Sequence, residues 1–188
     1  MKKYELLKDT TINTFSKTLY RIKALRDFGD VKAGDLGGYI EKEENLTHEG
    51  NAWVSDDARV FGNACVSGNA CVSGDARVFD NARVSDDARV SGNARVTGDA
   101  RVSGNARVSG DAWVSSDNDY STIHGFGSTN RTTTFFVDKD KNIYVNCGCF
   151  YGTLEEFRNK VKETHGDNYY GKEYLTVADL MEFRFSNR

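Results

Sequence analysis

The sequence from Asn51 to Ser116 reads NAWVSD DARVFG NACVSG NACVSG DARVFD NARVSD DARVSG NARVTG DARVSG NARVSG DAWVSS, which is eleven consecutive six-residue units. In every unit the first position is Asn or Asp, the second is Ala and the fourth is Val. Ala and Val lie two residues apart and therefore point to the same side of an extended strand. Gly, Asn and Asp between the strands tolerate the positive φ that a sharp corner needs. Each unit is therefore predicted to form one short strand and one corner, which become stable when successive turns stack.

The pattern predicts a parallel β-helix. The units resemble the hexapeptide repeat of left-handed parallel β-helices, in which an aliphatic and a small residue alternate with polar ones. In that family three units make one triangular turn, so each residue stacks on the one three units further along. The resemblance implies a left-handed parallel β-helix. We place it at residues 39–116, because residues 45–50 fit one further unit with Leu46 at the Ala position and Tyr39-Ile40 are interpreted as the start of another.

The flanking segments are predicted to be smaller units. Residues 1–38 contain two short extended stretches and a turn-rich segment, so we predict an N-terminal β-hairpin cap. The polar residues 117–130 are predicted to be a linker. Residues 131–188 show a hairpin pattern followed by two helical patterns, which predicts a small C-terminal ββαα module. The fold class is therefore mainly β, with an α+β module at the C-terminus.

Two helices are expected in that module. Thr153 and Glu156 have the spacing of a capping box, so the first helix should begin after Thr153 and run to about Thr164. The second helix is predicted over roughly residues 172–183, where apolar residues are available for packing.

Composition excludes several classes of protein. The chain has 188 residues and a net charge of −3, which argues against general nucleic-acid binding. No apolar run is long enough to cross a bilayer, and the first residues lack the apolar core of a secretory signal. Four cysteines are too few for a disulfide scaffold, and Cys147-Gly148-Cys149 lacks the CxxC spacing of a zinc site. We expect a soluble protein with no membrane association, no metal site and no cofactor.

Histidines are the candidates for acid–base catalysis. Left-handed hexapeptide proteins are best known as acyltransferases, so the resemblance implies a trimer, a CoA groove between subunits and a catalytic His. The chain contains His48, His124 and His165, none of them within the eleven units. We interpret His48 as a structural residue at an inward position and His165 as a favourable cation at a helix C-terminus. His124 is therefore the candidate general base in this alternative reading.

A column of arginines is predicted as a binding surface. The residues expected to stack on one face are Arg59, Arg77, Arg95 and Trp113, with Phe61 and Phe79 beside them. Guanidinium groups next to aromatic rings bind nucleotides, phosphates or acidic protein surfaces. The alternative is a solvated ladder whose charge is balanced by the Asp residues at the corners. Two phenylalanines facing water favour the binding surface.

The segments outside the repeat resemble proteins encoded by bacteriophages and prophages. Residues 19–40, LYRIKALRDFGDVKAGDLGGYI, and the following LTHEGNAWV are similar to the opening of hexapeptide-repeat proteins of this group. Residues 146–168, NCGCFYGTLEEFRNKVKETHGDN, are similar to their end. The resemblance implies a small accessory protein in the cytoplasm of a bacterial host cell.

The function predicted from these features is non-enzymatic binding or scaffolding. The expected partner is a host bacterial protein or a small nucleotide, and an inhibitor of a bacterial defence system is one concrete version. The alternative is a hexapeptide-repeat acyltransferase that uses acetyl-CoA. Self-association as a trimer or a dimer is also expected.

Overall fold

A computed structural model describes residues 2–187 of the chain. Three strands precede the repeat, and they are β1 (Tyr4–Thr14), β2 (Lys17–Ala24) and β3 (Leu36–Ile40). A 3-10 helix (Glu43–Asn45) then leads into the repeat. Each six-residue unit forms one two-residue strand, and these are β4 (Trp53–Val54), β5 (Arg59–Val60), β6 (Cys65–Val66), β7 (Cys71–Val72), β8 (Arg77–Val78), β9 (Arg83–Val84), β10 (Arg89–Val90), β11 (Arg95–Val96), β12 (Arg101–Val102), β13 (Arg107–Val108) and β14 (Trp113–Val114).

These short strands stack in parallel on three faces, which confirms the predicted parallel β-helix. The first face has the order β5-β8-β11-β14, the second β4-β7-β10-β13 and the third β6-β9-β12. Every third strand therefore pairs, and Arg59 lies beside Arg77 in the register. The eleven strands make about four turns. The left-handed sense of the helix stays a prediction.

The inward Ala and Val side chains form the core of the β-helix, as their spacing predicted. Every Ala and Val of the eleven units is at most 1% exposed. At the corners, side chains of successive turns are joined by hydrogen bonds. Asn63 Nδ2 donates to Asn81 Oδ1 at 3.2 Å, and Asn81 Nδ2 donates to Asp99 Oδ1 at 3.0 Å. The preference for Asn or Asp at the first position therefore stabilises the stack as well as the corner.

The N-terminal strands extend the first face. β1 and β2 form an antiparallel hairpin, β2 pairs with β3, and β3 pairs in parallel with β5. Tyr4 and Ile22 are fully buried and belong to the same hydrophobic cluster as the Ala and Val ladder. The predicted hairpin is therefore present, and its core is continuous with that of the β-helix.

The hairpin overturns one prediction about the exposed phenylalanines. Phe61 and Phe79 do stack, with ring centroids 5.0 Å apart and planes at 3°. However, Phe61 is only 4% exposed, because the hairpin packs over it and Leu19 and Tyr39 join the same cluster. Phe15 at the hairpin tip lies 6.0 Å from the Phe61 ring. The expectation that both phenylalanines face water was wrong, because sequence spacing does not reveal a strand that folds back over a face.

Phe15→Ala should loosen the hairpin without unfolding the β-helix. Phe15 contacts both Phe61 and Phe79, and an aromatic pair contributes about 0.5–1.5 kcal/mol beyond burial. Amide exchange in β1 and β2 should therefore rise by about tenfold, while exchange in β8 and β11 stays unchanged. Hydrogen exchange with mass spectrometry measures both, and Leu36→Ala is a control at an exposed apolar residue outside this cluster. Equal protection of the hairpin in Phe15→Ala and the parent chain would show that the ring does not clamp it.

The C-terminal part is a four-stranded antiparallel sheet followed by two helices. Its strands, in spatial order, are β15 (Tyr120–Phe126), β16 (Arg131–Val137), β17 (Ile143–Cys147) and β18 (Phe150–Thr153). The helices are α1 (Leu154–His165) and α2 (Tyr169–Ser186). The capping box of α1 is formed, since the Thr153 side chain accepts from the Glu156 backbone and the Glu156 side chain accepts from the Thr153 backbone. Neither helix has the length and apolar character needed to cross a membrane.

Two strands of this sheet were not expected. The segment 117–130 was predicted as a linker, but it contains β15, and the ββαα order lacked β18 as well. Both are edge strands. Edge strands need only one paired side and tolerate polar residues, so β15 lacks the alternating pattern that marks a strand in sequence.

Candidate functional site

The predicted column on the first face is in register. Arg59, Arg77, Arg95 and Trp113 lie on neighbouring strands in that order. The Arg95 guanidinium lies 5.0 Å from the centre of the Trp113 ring, a cation–π distance. Burial, followed by the charges of Arg59 and Arg95, lowers the pKa of Arg77. The column concentrates positive charge, and its role as a binding surface stays a prediction.

Corner carboxylates do not pair with the repeat arginines. Within residues 2–187, none of the seven arginines in the repeat units forms an ion pair. The Asp side chains are used for hydrogen bonds between turns. Asp80 accepts from Thr97 Oγ1 at 2.5 Å, and Asp86 accepts from the Gly104 amide at 3.0 Å. The Arg59 guanidinium donates to Thr14 Oγ1 at 3.3 Å, whereas those of Arg89 and Arg107 are exposed and available for an external anion.

The arginines of the second face border a groove that the sequence did not predict. We call it the basic groove, and its polar walls are Arg89, Arg107, Asn105, His124, Asn130 and Arg131. β16 packs against β13 and β14, and the Arg107 amide donates to Thr134 Oγ1 at 2.9 Å. The C-terminal sheet is thereby held beside the second face. The space between them is a cavity of about 780 Å³.

The basic groove carries an excess of positive charge. Three arginines line it, against the single carboxylate of Asp87. Asp87 also accepts a hydrogen bond from Asn69 Nδ2 at 3.1 Å. Guanidinium groups match phosphate oxygens in two-point hydrogen bonds, so this arrangement is suited to a phosphorylated anion.

The three histidines have different surroundings. His48 Nδ1 accepts from the Lys3 amide at 3.2 Å and the ring stacks on Tyr4 at 4.4 Å, which fits the structural interpretation. His165 is the last residue of α1. His124 is exposed in the basic groove, and its Nδ1 lies 3.0 Å from Thr132 Oγ1.

His124 lacks the partner that a general base usually has. A catalytic imidazole is normally oriented by a third group such as a carboxylate. In the part of the chain that the structure describes, the hydrogen-bond partner of His124 is the hydroxyl of Thr132, and no carboxylate forms an ion pair with the ring. The His124 ring is therefore positioned by a hydroxyl, that of Thr132.

The comparisons with known proteins concern the repeat. Residues 76–90, 88–101 and 100–116 match the YdcK β-solenoid repeat. This chain is a β-solenoid repeat protein. A curated protein of Escherichia coli (strain K12), named "Uncharacterized acetyltransferase YdcK", is 37% identical over 70 residues, which cover 33% of this chain. The aligned part spans about a fifth, 22%, of that relative.

The β-solenoid match covers only part of the basic groove. Arg89 and Arg107 lie within the matched residues, whereas His124 and Arg131 lie beyond them. His124 was singled out from the sequence as the one histidine in a Gly-containing segment, but Arg131 gave no comparable signal. Phage or prophage origin stays a prediction, because these matches concern the repeat alone.

Proposed function

We propose that this β-solenoid protein binds a phosphorylated small molecule, a nucleotide, in the basic groove without catalysing its reaction. The observation that carries the proposal is the cluster of Arg89, Arg107 and Arg131 beside a single carboxylate. A cavity of about 780 Å³ lies within the size range of small-molecule sites. The free arginines would form charge-assisted hydrogen bonds to phosphate oxygens.

Removing the charge of the second face should weaken this binding. We expect the double variant Arg89→Gln/Arg107→Gln to bind nucleoside triphosphates at least tenfold more weakly, because two charge-assisted contacts are lost. Isothermal titration calorimetry with the four nucleoside triphosphates in EDTA measures the dissociation constants.

The third face offers a matched control. Arg83→Gln/Arg101→Gln removes two exposed arginines at the same position of the repeat and in the same register, but away from the basic groove. This control should bind as the parent chain does. An equal loss in both double variants would indicate a diffuse charge effect, and no loss in either would exclude the basic groove.

An acetyltransferase is the second candidate function. It is favoured by the name of the Escherichia coli relative and by His124 in a groove whose cations would also suit the phosphates of acetyl-CoA. If His124 were the general base, His124→Ala would slow release of free CoA from acetyl-CoA in the presence of amine acceptors by about 10²–10⁴-fold. Binding of acetyl-CoA with no release by the parent chain would favour the non-enzymatic proposal.

The biological setting extends the same proposal. Binding without turnover is what sequestration of a nucleotide signal requires, and we propose inhibition of a bacterial defence system as its use. The direct test is phage plating on defended bacteria that express the parent chain or Arg89→Gln/Arg107→Gln. The parent chain alone should restore plaques.

A further inference from the structure

A second, apolar cavity adjoins the basic groove. It has a volume of about 420 Å³ and lies between the β17–β18 turn and the two helices. Its apolar walls are Phe150, Phe157, Val161 and Tyr174. Phe157 and Tyr174 meet edge to face, with centroids 5.9 Å apart and planes at 83°. We call this cavity the ring pocket.

The ring pocket and the basic groove share part of their walls. Arg131, Gly148 and Cys149 line both of them. Gly148 has a φ of 63°, and a Cβ built there would lie 2.8 Å from Arg131 Nη1. The absence of a side chain at this turn therefore leaves the Arg131 guanidinium at the boundary of the two spaces.

The free positive charge at the ring pocket is that of Arg131. Lys160 also lines the pocket and no Asp or Glu does, but the Lys160 ammonium is ion-paired with Glu163 at 2.8 Å. The His165 ring stacks on Tyr174, with centroids 5.4 Å apart and planes at 25°. An apolar wall of aromatic rings under a basic mouth is complementary to a planar ring that carries an anionic group.

We infer that the ring pocket holds the base of a nucleotide whose phosphates lie in the basic groove, with Arg131 between the two. This inference rests on the proposed function and names the ligand class of that site as a ring joined to phosphates. Aromatic side chains pack against the faces or edges of all nucleotide bases, so the pocket would add affinity for the base.

The test compares nucleoside triphosphates with inorganic tripolyphosphate, which lacks the base and the ribose. Calorimetry in EDTA should show at least one nucleoside triphosphate binding the parent chain about tenfold or more tightly than inorganic tripolyphosphate. Thr164→Trp, at an exposed residue that lines the ring pocket, should remove this preference while leaving tripolyphosphate binding unchanged. Lys162→Trp, an exposed position on the same helix that does not line the pocket, is the control and should keep the preference.

The outcomes separate this inference from the proposed function. Equal binding of tripolyphosphate and all four nucleoside triphosphates would overturn the ring pocket and leave the basic groove as an anion site. The same holds if Thr164→Trp and Lys162→Trp behave alike. No binding of any of these probes would overturn both proposals.

Discussion

Asp119→Ala should lower the free energy of unfolding by about 2–4 kcal/mol, because it leaves several donors at a partly buried junction without their acceptor. Asp119 is 8% exposed and lies where the last repeat unit meets β15. Its Oδ2 accepts from the amides of Ser115 and Ser116 at 2.9 and 3.0 Å, and from both hydroxyls at 2.7 and 3.3 Å. Lys141 Nζ donates to Oδ1 at 3.1 Å.

The ionised form of Asp119 stabilises this junction. Burial alone raises the pKa of the carboxyl, but hydrogen bonds from Ser115 and the nearby Lys141 outweigh it and lower the pKa. A carboxyl whose pKa is lowered by folding stabilises the protein above its unfolded pKa, and this stability is lost as pH falls through the folded value. Acid should therefore weaken the junction in the parent chain but not in Asp119→Ala.

Two further variants divide the effect into its parts. Asp119→Asn keeps one oxygen for the four serine donors, but it loses the charge and puts an amide nitrogen where the oxygen that accepts from Lys141 stood, so it should cost about 1–2 kcal/mol. Lys141→Met removes an exposed partner and should cost less than about 1 kcal/mol. Urea unfolding of these chains in a Trp53→Phe background follows Trp113, which is two residues from Ser115. If Asp119→Ala and Lys141→Met cost the same, the serine contacts would not stabilise the junction.

The repeat was predictable from sequence because one rule acts at every unit. Ala at the second position and Val at the fourth define the buried side, and three units per turn then determine which residues pair. This is why the stacking of Arg59, Arg77 and Arg95 was predicted correctly before the structure.

The basic groove was not predictable, because the repeat pattern makes the arginines of different faces equivalent in sequence. Arg89 and Arg107 have the same repeat position as Arg83 and Arg101, and sequence cannot tell them apart. What distinguishes them is the C-terminal sheet, which packs beside β13 and brings His124 and Arg131 to one face only. That packing depends on tertiary contacts such as the hydrogen bond from the Arg107 amide to Thr134. The repeat pattern describes only local structure, so it could not predict which face of the β-helix the C-terminal sheet contacts.

The free energy of unfolding of the parent chain should gain about 2–3 kcal/mol from Lys3 between about pH 7 and about pH 10, and Lys3→Met should abolish this gain. Lys3 is fully buried, and its Nζ donates to the Ala52 carbonyl at 2.7 Å and lies 5.0 Å from the centre of the Phe28 ring. No described carboxylate forms an ion pair with it. Burial, and then the charge of Arg26, lowers the pKa of Lys3 from 10.5 to about 8.

The direction of the pH effect follows from proton binding. Between about pH 8 and pH 10.5 the unfolded chain holds the Lys3 proton and the folded chain releases it, so raising the pH favours the folded state. Below about pH 8 both states are protonated, and burial of the charged ammonium then lowers the free energy of unfolding by its full amount. Burial also raises the pKa values of Tyr4, Cys65 and Cys71, which lowers stability as pH rises. These groups are present in both chains, so their contribution cancels in the difference between parent and variant.

The measured quantity is therefore the difference in unfolding free energy between the parent chain and Lys3→Met at each pH. Methionine keeps the length of the apolar stem but cannot donate to the Ala52 carbonyl, so a constant offset is expected at all pH values. The part of the difference that varies with pH belongs to the ammonium group. Lys2→Met, at an exposed neighbouring lysine that pairs with Glu43, is the control and should leave the pH profile of the parent chain unchanged from about pH 7 to about pH 10. Parallel profiles for the parent chain and Lys3→Met from about pH 7 to about pH 10 would mean that Lys3 stays protonated in the folded chain, since only release of its proton couples this residue to pH.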